Sequence, residues 1–236
     1  MSRIPRLRAI EIAVRHPQVD RVAGVLHEPQ GERRARAVLL AHGAGSDMDA
    51  PFLVAIASGL AARGFAVLRF RYPYMELRAR GGSRRPPDAA PLLEATHTAA
   101  LAELARHVGG ERPLLAGKSL GGRIGTHLAA KGADASGLVL LGYPLHPARK
   151  PERERSEHFP AIVQPALFLQ GTRDALCELA RLERALAHFG GRATLSIIEE
   201  ADHSFSVPKS SGRTPEQVRE DLVERIDAWE QREFPT

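Results

Sequence analysis

The chain alternates short apolar runs with longer stretches in which apolar residues recur every three to four positions. These are the patterns of buried strands and amphipathic helices. Ala9–Val14 and Arg21–His27 flank a His16-Pro17-Gln18 break and read as an antiparallel hairpin. Ala37–Ala41 is a continuous apolar run, which predicts a strand buried on both faces. Phe65–Phe70, Pro113–Ala116, Leu138–Gly142, Ala166–Gln170 and Thr194–Glu199 read as further strands. Asp49 is placed to cap a helix with Pro51 in its first turn, with Phe52, Ile56 and Leu60 on one face and Gly64 closing it. Helical patterns also cover Asp88–Val108, Gly121–Lys131 and about Glu178–Phe189. The last helix opens with Thr214-Pro215-Glu216-Gln217, a capping box with proline at the first helical position. Val218, Leu222, Ile226 and Trp229 then form its apolar stripe. Tyr72–Pro87 and Tyr143–Pro165 are polar and Pro-rich, and predict irregular connections.

Strand–helix alternation predicts an α/β fold: a mostly parallel sheet with helices on both faces. No composition shift marks a boundary, so residues 1–236 read as a single domain. In such sheets ligands bind at the carboxyl ends of the strands, and the loops there are where chemistry is expected.

Composition narrows the function classes. At 43% hydrophobic and 26% charged over 236 residues, the chain fits a globular protein with a sizeable core. No run approaches the roughly 18 apolar residues of a membrane span. The N-terminus has no apolar core of a secretory signal. Cys177 is the single cysteine, which excludes an intramolecular disulfide and fits a reducing compartment. The expectation is a cytoplasmic protein with no membrane partner. The net charge is +5, but the arginines are scattered and aromatics are only 5% of the residues, which argues against nucleic acid as a partner. No His, Cys, Asp or Glu grouping has metal-ligand spacing, so neither metal nor cofactor is expected.

The sharpest chemical signal is Ala116-Gly117-Lys118-Ser119-Leu120-Gly121-Gly122. It holds G-x-S-x-G between an apolar strand and a helix, the context of a nucleophile elbow. A P-loop would need glycine at position 112, which is arginine, and a dinucleotide fingerprint from Gly43 and Gly45 would need glycine at 48, which is methionine. A serine hydroxyl needs a base to take its proton. The strand Ala166–Gln170 exits into Gly171-Thr172-Arg173-Asp174, and Thr194–Glu199 exits toward Asp202-His203-Ser204-Phe205. The order Ser…Asp…His then makes Ser119 the nucleophile, His203 the base and Asp174 the group that orients it. Asp202, Glu199 and Glu200 compete with Asp174 for that role. An oxyanion hole needs two converging backbone N–H groups. Leu120 supplies one, and the His42-Gly43-Ala44-Gly45 loop the other, with Ala44 first choice and Gly45 second.

These stretches, with GKSLG, GTRD, ADHSF and HGAG as the motifs, resemble the α/β-hydrolase superfamily from about residue 10 to the end. HGAGSDMD, FRYPYMELRARGGSRRPP, AGKSLGGR and GLVLLGYPLHP are similar to a bacterial dienelactone-hydrolase-like branch, which includes the testis-expressed and NSL-complex-subunit hydrolase-like proteins. The resemblance implies an eight-stranded sheet in the α/β-hydrolase fold and cleavage of an ester, thioester or related acyl bond of a small molecule. True dienelactone hydrolases carry a cysteine nucleophile where this chain has Ser119. Some members of the related eukaryotic branch look non-catalytic, so an interaction protein on a hydrolase scaffold is one alternative, and an acyltransferase another.

Leu145–Gln164 is too short for a full cap domain, so an open or lightly covered site is expected. Met75–Pro87 is the other candidate cover. Its Arg78 and Arg84 would receive an anionic group of the substrate if the loop lies near the elbow, and the alternative is a solvated loop whose charges face water.

Overall fold

A computed structural model describes residues 6–109 and 112–235. The strands are β1 (Leu7–His16), β2 (Val19–His27), β3 (Val38–Ala41), β4 (Val67–Phe70), β5 (Leu114–Lys118), β6 (Gly137–Leu141), β7 (Ala166–Gly171) and β8 (Ala193–Ile198). The helices are α1 (Pro51–Ala62), α2 (Pro73–Ala79), α3 (Ala90–Val108), α4 (Leu120–Ala130), α5 (Leu179–Leu186) and α6 (Pro215–Glu233). No helix among the described residues is long and apolar enough to cross a membrane.

All eight strands form one sheet in the order β1-β2-β4-β3-β5-β6-β7-β8. β1 pairs antiparallel with β2, and β2 antiparallel with β4, so the expected hairpin forms one edge. The pairings from β4 through β8 are parallel. Strand order reverses direction between β3 and β5, which opens a crevice at their carboxyl ends. The sheet is the eight-stranded α/β-hydrolase arrangement that the sequence implies.

Alternation along each strand divides the core. Leu39, Ala41 and Leu115 face the layer with α3 and α4, while Val38, Leu40, Leu114 and Ala116 face α1 and α6. Trp229 is buried in the second layer. The capping box of α6 is present: Thr214 Oγ1 accepts from the Gln217 N–H at 3.2 Å, and Gln217 Oε1 accepts from the Thr214 N–H at 2.8 Å.

Two expectations fail locally. Asp49 does not cap α1; Ala50 is the N-cap residue and makes no side-chain cap. The Asp49 carboxylate is instead drawn to Arg69 at 3.0 Å and Arg71 at 2.7 Å. The stretch Tyr72–Pro87 is not wholly irregular, because Pro73 starts the seven-residue α2. Asp88 Oδ2 accepts from the Tyr74 N–H at 2.9 Å and supports that first turn.

Candidate active site

Ser119 joins β5 to α4 with φ 53° and ψ −112°. A residue with a Cβ is held there at a cost of roughly 1–3 kcal/mol. Its neighbours make the bend feasible by having no side chain. A Cβ on Gly117 would lie 2.3 Å from the Gly122 nitrogen, and one on Gly121 would lie 2.6 Å from the Ala41 oxygen. The bend lifts Ser119 over the crevice beside the end of β3.

Three side chains from separate loops meet there. The Ser119 hydroxyl lies 2.9 Å from His203 Nε2. His203 Nδ1 lies 2.7 Å from Asp174 Oδ2. Because a carboxylate only accepts, Nδ1 carries the proton and Nε2 faces the hydroxyl with its lone pair. The Asp174 side chain is fully buried. Its Oδ2 also accepts from Gln170 Nε2 at 2.6 Å, and its Oδ1 accepts from the Leu176 N–H at 2.8 Å. Asp202 turns away from this chain, since its Oδ1 accepts from the N–H groups of Ser204 and Ser206. Those bonds shape the loop that carries His203.

The loop after β3 is fixed from several sides. Tyr74 donates its hydroxyl toward the carbonyls of Gly43 at 3.3 Å and Ala44 at 3.1 Å. In trans peptides this turns the N–H groups of Ala44 and Gly45 away from Tyr74. Neither of these amides, nor that of Leu120, has an acceptor among the described residues. His42 Nε2 accepts from the Tyr72 N–H at 3.1 Å, so its Nδ1–H donates to the Gly43 carbonyl at 2.9 Å. Burial lowers the His42 imidazole to about 4, so it stays neutral as a brace. Arg71 bonds Asp47 at 2.9 Å and 3.1 Å, and the buried Arg69 guanidinium donates to the Met48 carbonyl and to His27 Nε2.

Two clefts meet at Ala44 and Gly45. One of about 450 Å³ holds Ser119 and His203, with Phe52, Leu53 and Leu176 as apolar wall and Lys118 at its floor. The other, of about 700 Å³, is lined by Tyr74, Met75, Arg78 and Arg84. Arg78 and Arg84 therefore lie beside the serine cleft and not within it. The segment between Tyr143 and Pro165 forms one 3₁₀ turn, Phe159–Ala161, whose Phe159 is buried in the core.

The sequence reading had no place for Gln170, which holds Asp174 and, through Oε1, accepts from the Tyr143 N–H at 2.9 Å. A polar residue ending an otherwise apolar strand was its signal. Lys118 was also missed. Burial pushes its ammonium down to about 8, against the opposing fields of Asp174 and Asp202.

Solved structures share this architecture. A dienelactone hydrolase from Anabaena variabilis superposes with a TM-score of 0.74 at 23% identity, covering 97% of this chain and 98% of its own. The esterase domain of a Rhodothermus marinus protein gives 0.71 at 16% identity over 96% and 98%. A dienelactone-hydrolase-like promiscuous phosphotriesterase from metagenomic libraries gives 0.68 at 18% identity over 96% and 98%. At these identities the likeness is one of fold. The sequence itself matches a family described as an alpha/beta hydrolase domain over residues 34–231. With that match over most of its length, the chain belongs to the alpha/beta hydrolase family.

Proposed function

We propose that the protein is a serine hydrolase that cleaves an ester-type bond of a small acyl substrate through an acyl-enzyme. The observation that carries this reading is the unbroken hydrogen-bonded chain Ser119–His203–Asp174 above a strained bend. The unsatisfied amides of Leu120 and Ala44, with Gly45 next to them, provide the donors such a reaction needs.

His203 Nε2 takes the hydroxyl proton as Ser119 Oγ bonds to the substrate carbonyl carbon. The carbonyl oxygen becomes an oxyanion held by the Leu120 and Ala44 N–H groups. The oxyanion collapses, the bond to the leaving oxygen or sulfur breaks, and the imidazolium returns its proton to that atom. Water then repeats the sequence against the acyl-enzyme, giving the acid and restoring the hydroxyl. Asp174, fixed by Gln170 and Leu176, holds the imidazole in the tautomer this needs. The cleft with Arg78 and Arg84 suits an anionic group of the substrate lying next to the reacting carbonyl. Esterase and phosphotriesterase chemistry among proteins of this fold is consistent with that assignment.

The test is labelling by a fluorophosphonate probe together with turnover of p-nitrophenyl esters and acyl-CoA thioesters. Wild type is expected to label and turn over, and Ser119→Ala to do neither while keeping its fold. A folded wild type that resists the probe would make the chain an interaction protein on a hydrolase scaffold. Faster consumption of esters with an added alcohol, with transfer product formed, would make it an acyltransferase.

A further inference from the structure

Lys118 is an ionisable side chain lining the serine cleft that the steps above leave unused. Its parity on β5 matches Leu114 and Ala116, so the stem runs down the α1/α6 face of the sheet. The head then turns under the histidine loop. A Cβ on Gly142 would meet Lys118 Nζ at 3.1 Å, His203 O at 3.5 Å and His203 Nδ1 at 3.6 Å. Nζ also lies 5.6 Å from the centre of the Phe205 ring. These contacts place His203, from the loop after β8, beside it with the uncharged Gly142 and Phe205, and the carboxylates of Asp174, from the loop after β7, and Asp202, from the loop after β8, act on it electrostatically. Both oxygens of Asp174 and Oδ1 of Asp202 are taken by other donors, namely Gln170, Leu176, His203, Ser204 and Ser206. Lys118 thus faces them through space, with no hydrogen bond or ion pair to either.

We propose that Lys118 is a positioning residue for the reaction: its ammonium offsets the field of Asp174 and Asp202 at the His203 imidazole and so weakens the pull of those carboxylates toward imidazolium. This rests on reading Ser119, His203 and Asp174 as the hydrolytic triad. The physical argument is one of sign. Two carboxylates near an imidazole favour imidazolium, and imidazolium cannot accept the serine proton. A cation placed among the three groups disfavours imidazolium without touching the ring. Burial lowers the Lys118 ammonium only to about 8, which leaves it mostly charged at neutral pH.

Replacing the cation is expected to move the imidazole titration upward by about one pH unit, the scale of one partly screened charge at this range. The experiment compares wild type, Lys118→Met and Lys118→Arg in two measurements. The first is the His203 ring titration by NMR. The second is the acid limb of kcat/KM for a neutral and an anionic p-nitrophenyl ester. Lys118→Met should raise both midpoints by about a unit and lower kcat/KM roughly tenfold on the acid limb, equally for both esters. Its rate above pH 8.5 should match or exceed wild type. Lys118→Arg keeps the charge and should hold both midpoints near wild type. If the methionine variant does not fold, Lys118→Gln carries the same comparison. Unmoved midpoints in the neutral variant overturn the proposal. A loss confined to the anionic ester also overturns it, and makes Lys118 a substrate contact. The ring titration needs no turnover, so absence of esterase activity would sink the hydrolase reading without deciding this one.

Discussion

Replacing Ser119 by glycine should make the protein more stable than replacing it by alanine, the reverse of the usual ranking. Ser119 sits at φ 53° and ψ −112°, where a Cβ is crowded and glycine is not. Both substitutions delete the same hydroxyl and the same 2.9 Å contact with His203, so that loss cancels between them. Alanine keeps the strain, about 1–3 kcal/mol. Glycine releases it, but its unfolded chain is freer by roughly 0.5–1 kcal/mol. Taken at the middle of both ranges, the net expectation is about 1 kcal/mol in favour of glycine. For a chain of this length that is roughly 2–4 °C in melting temperature. Thermal and urea unfolding of the two variants at pH 8 measure the difference, and neither variant should react with a fluorophosphonate. A glycine variant that melts at or below the alanine variant would falsify the claim that the bend is held under strain.

Other consequences follow from the same geometry. Gly117→Ala should lose labelling and about 3 kcal/mol of stability by urea unfolding, because its Cβ would sit 2.3 Å from the Gly122 nitrogen and backbone must move. Gln170→Leu removes a donor to Asp174 and leaves the Tyr143 N–H without its acceptor; about 2 kcal/mol of stability should go, and kcat should fall about tenfold with KM little changed. Burial lowers His42 to about 4 and His97 to about 3, while the unfolded chain protonates them near 6.5. Their contribution is whole above pH 6.5 and is lost as pH falls through 4 and then 3. Calorimetry should therefore show stability dropping by about 2–3 kcal/mol per pH unit near pH 5 from this pair, and a flat profile there would refute their neutral burial. Lys118→Met should stabilise the protein at pH 7 by up to about 3 kcal/mol, since burial lowers the ammonium from 10.5 to about 8. That gain should shrink between pH 8 and 10.5, where the folded wild type has lost the proton that the unfolded chain still holds.

The central sheet was legible because strands buried on both faces must be continuously apolar, as residues 37–41 and 166–169 are. Ser119 and Asp174 were legible as candidates because each follows such a run at a strand end, and His203 because it follows the half-buried edge strand β8 in the order Ser, Asp, His. What escaped depends on partners that sequence cannot bring together. Asp49 has the chemistry of a cap, but Arg69 arrives from β4 with a buried guanidinium and claims it. α2 is two turns long, too short for its period to rise above the surrounding arginines and prolines. Arg78 and Arg84 reach a substrate only if the Met75–Pro87 segment lies near the elbow, which depends on contacts no local pattern encodes; they line the adjoining cleft, Arg78 from α2 and Arg84 from the loop after it. Lys118 occupies a motif position that any residue can fill, and only its strand parity points it under the histidine loop.

Destabilising features gather at the elbow: a positive φ at Ser119, a buried ammonium at Lys118, and glycines where side chains would pack. A fold tolerates that cluster only if the flanking elements are over-determined. Here they are. β5 lies between β3 and β6 in parallel pairing, and helices cover both faces. The loop after β3 is tied down by Tyr74, His42, Arg69 and Arg71. The two kinds of residue should therefore respond oppositely to substitution. Changes at 118 and 119 that relieve cost should raise stability and impair reaction with esters, at 118 on the acid limb alone. Changes at Arg69, Arg71 or Tyr74 should lower both together, because those side chains hold the loop against the strain next to it. Variants of Arg71 and Tyr74 that kept full stability while losing activity would contradict this division, and would move those residues into direct contact with substrate.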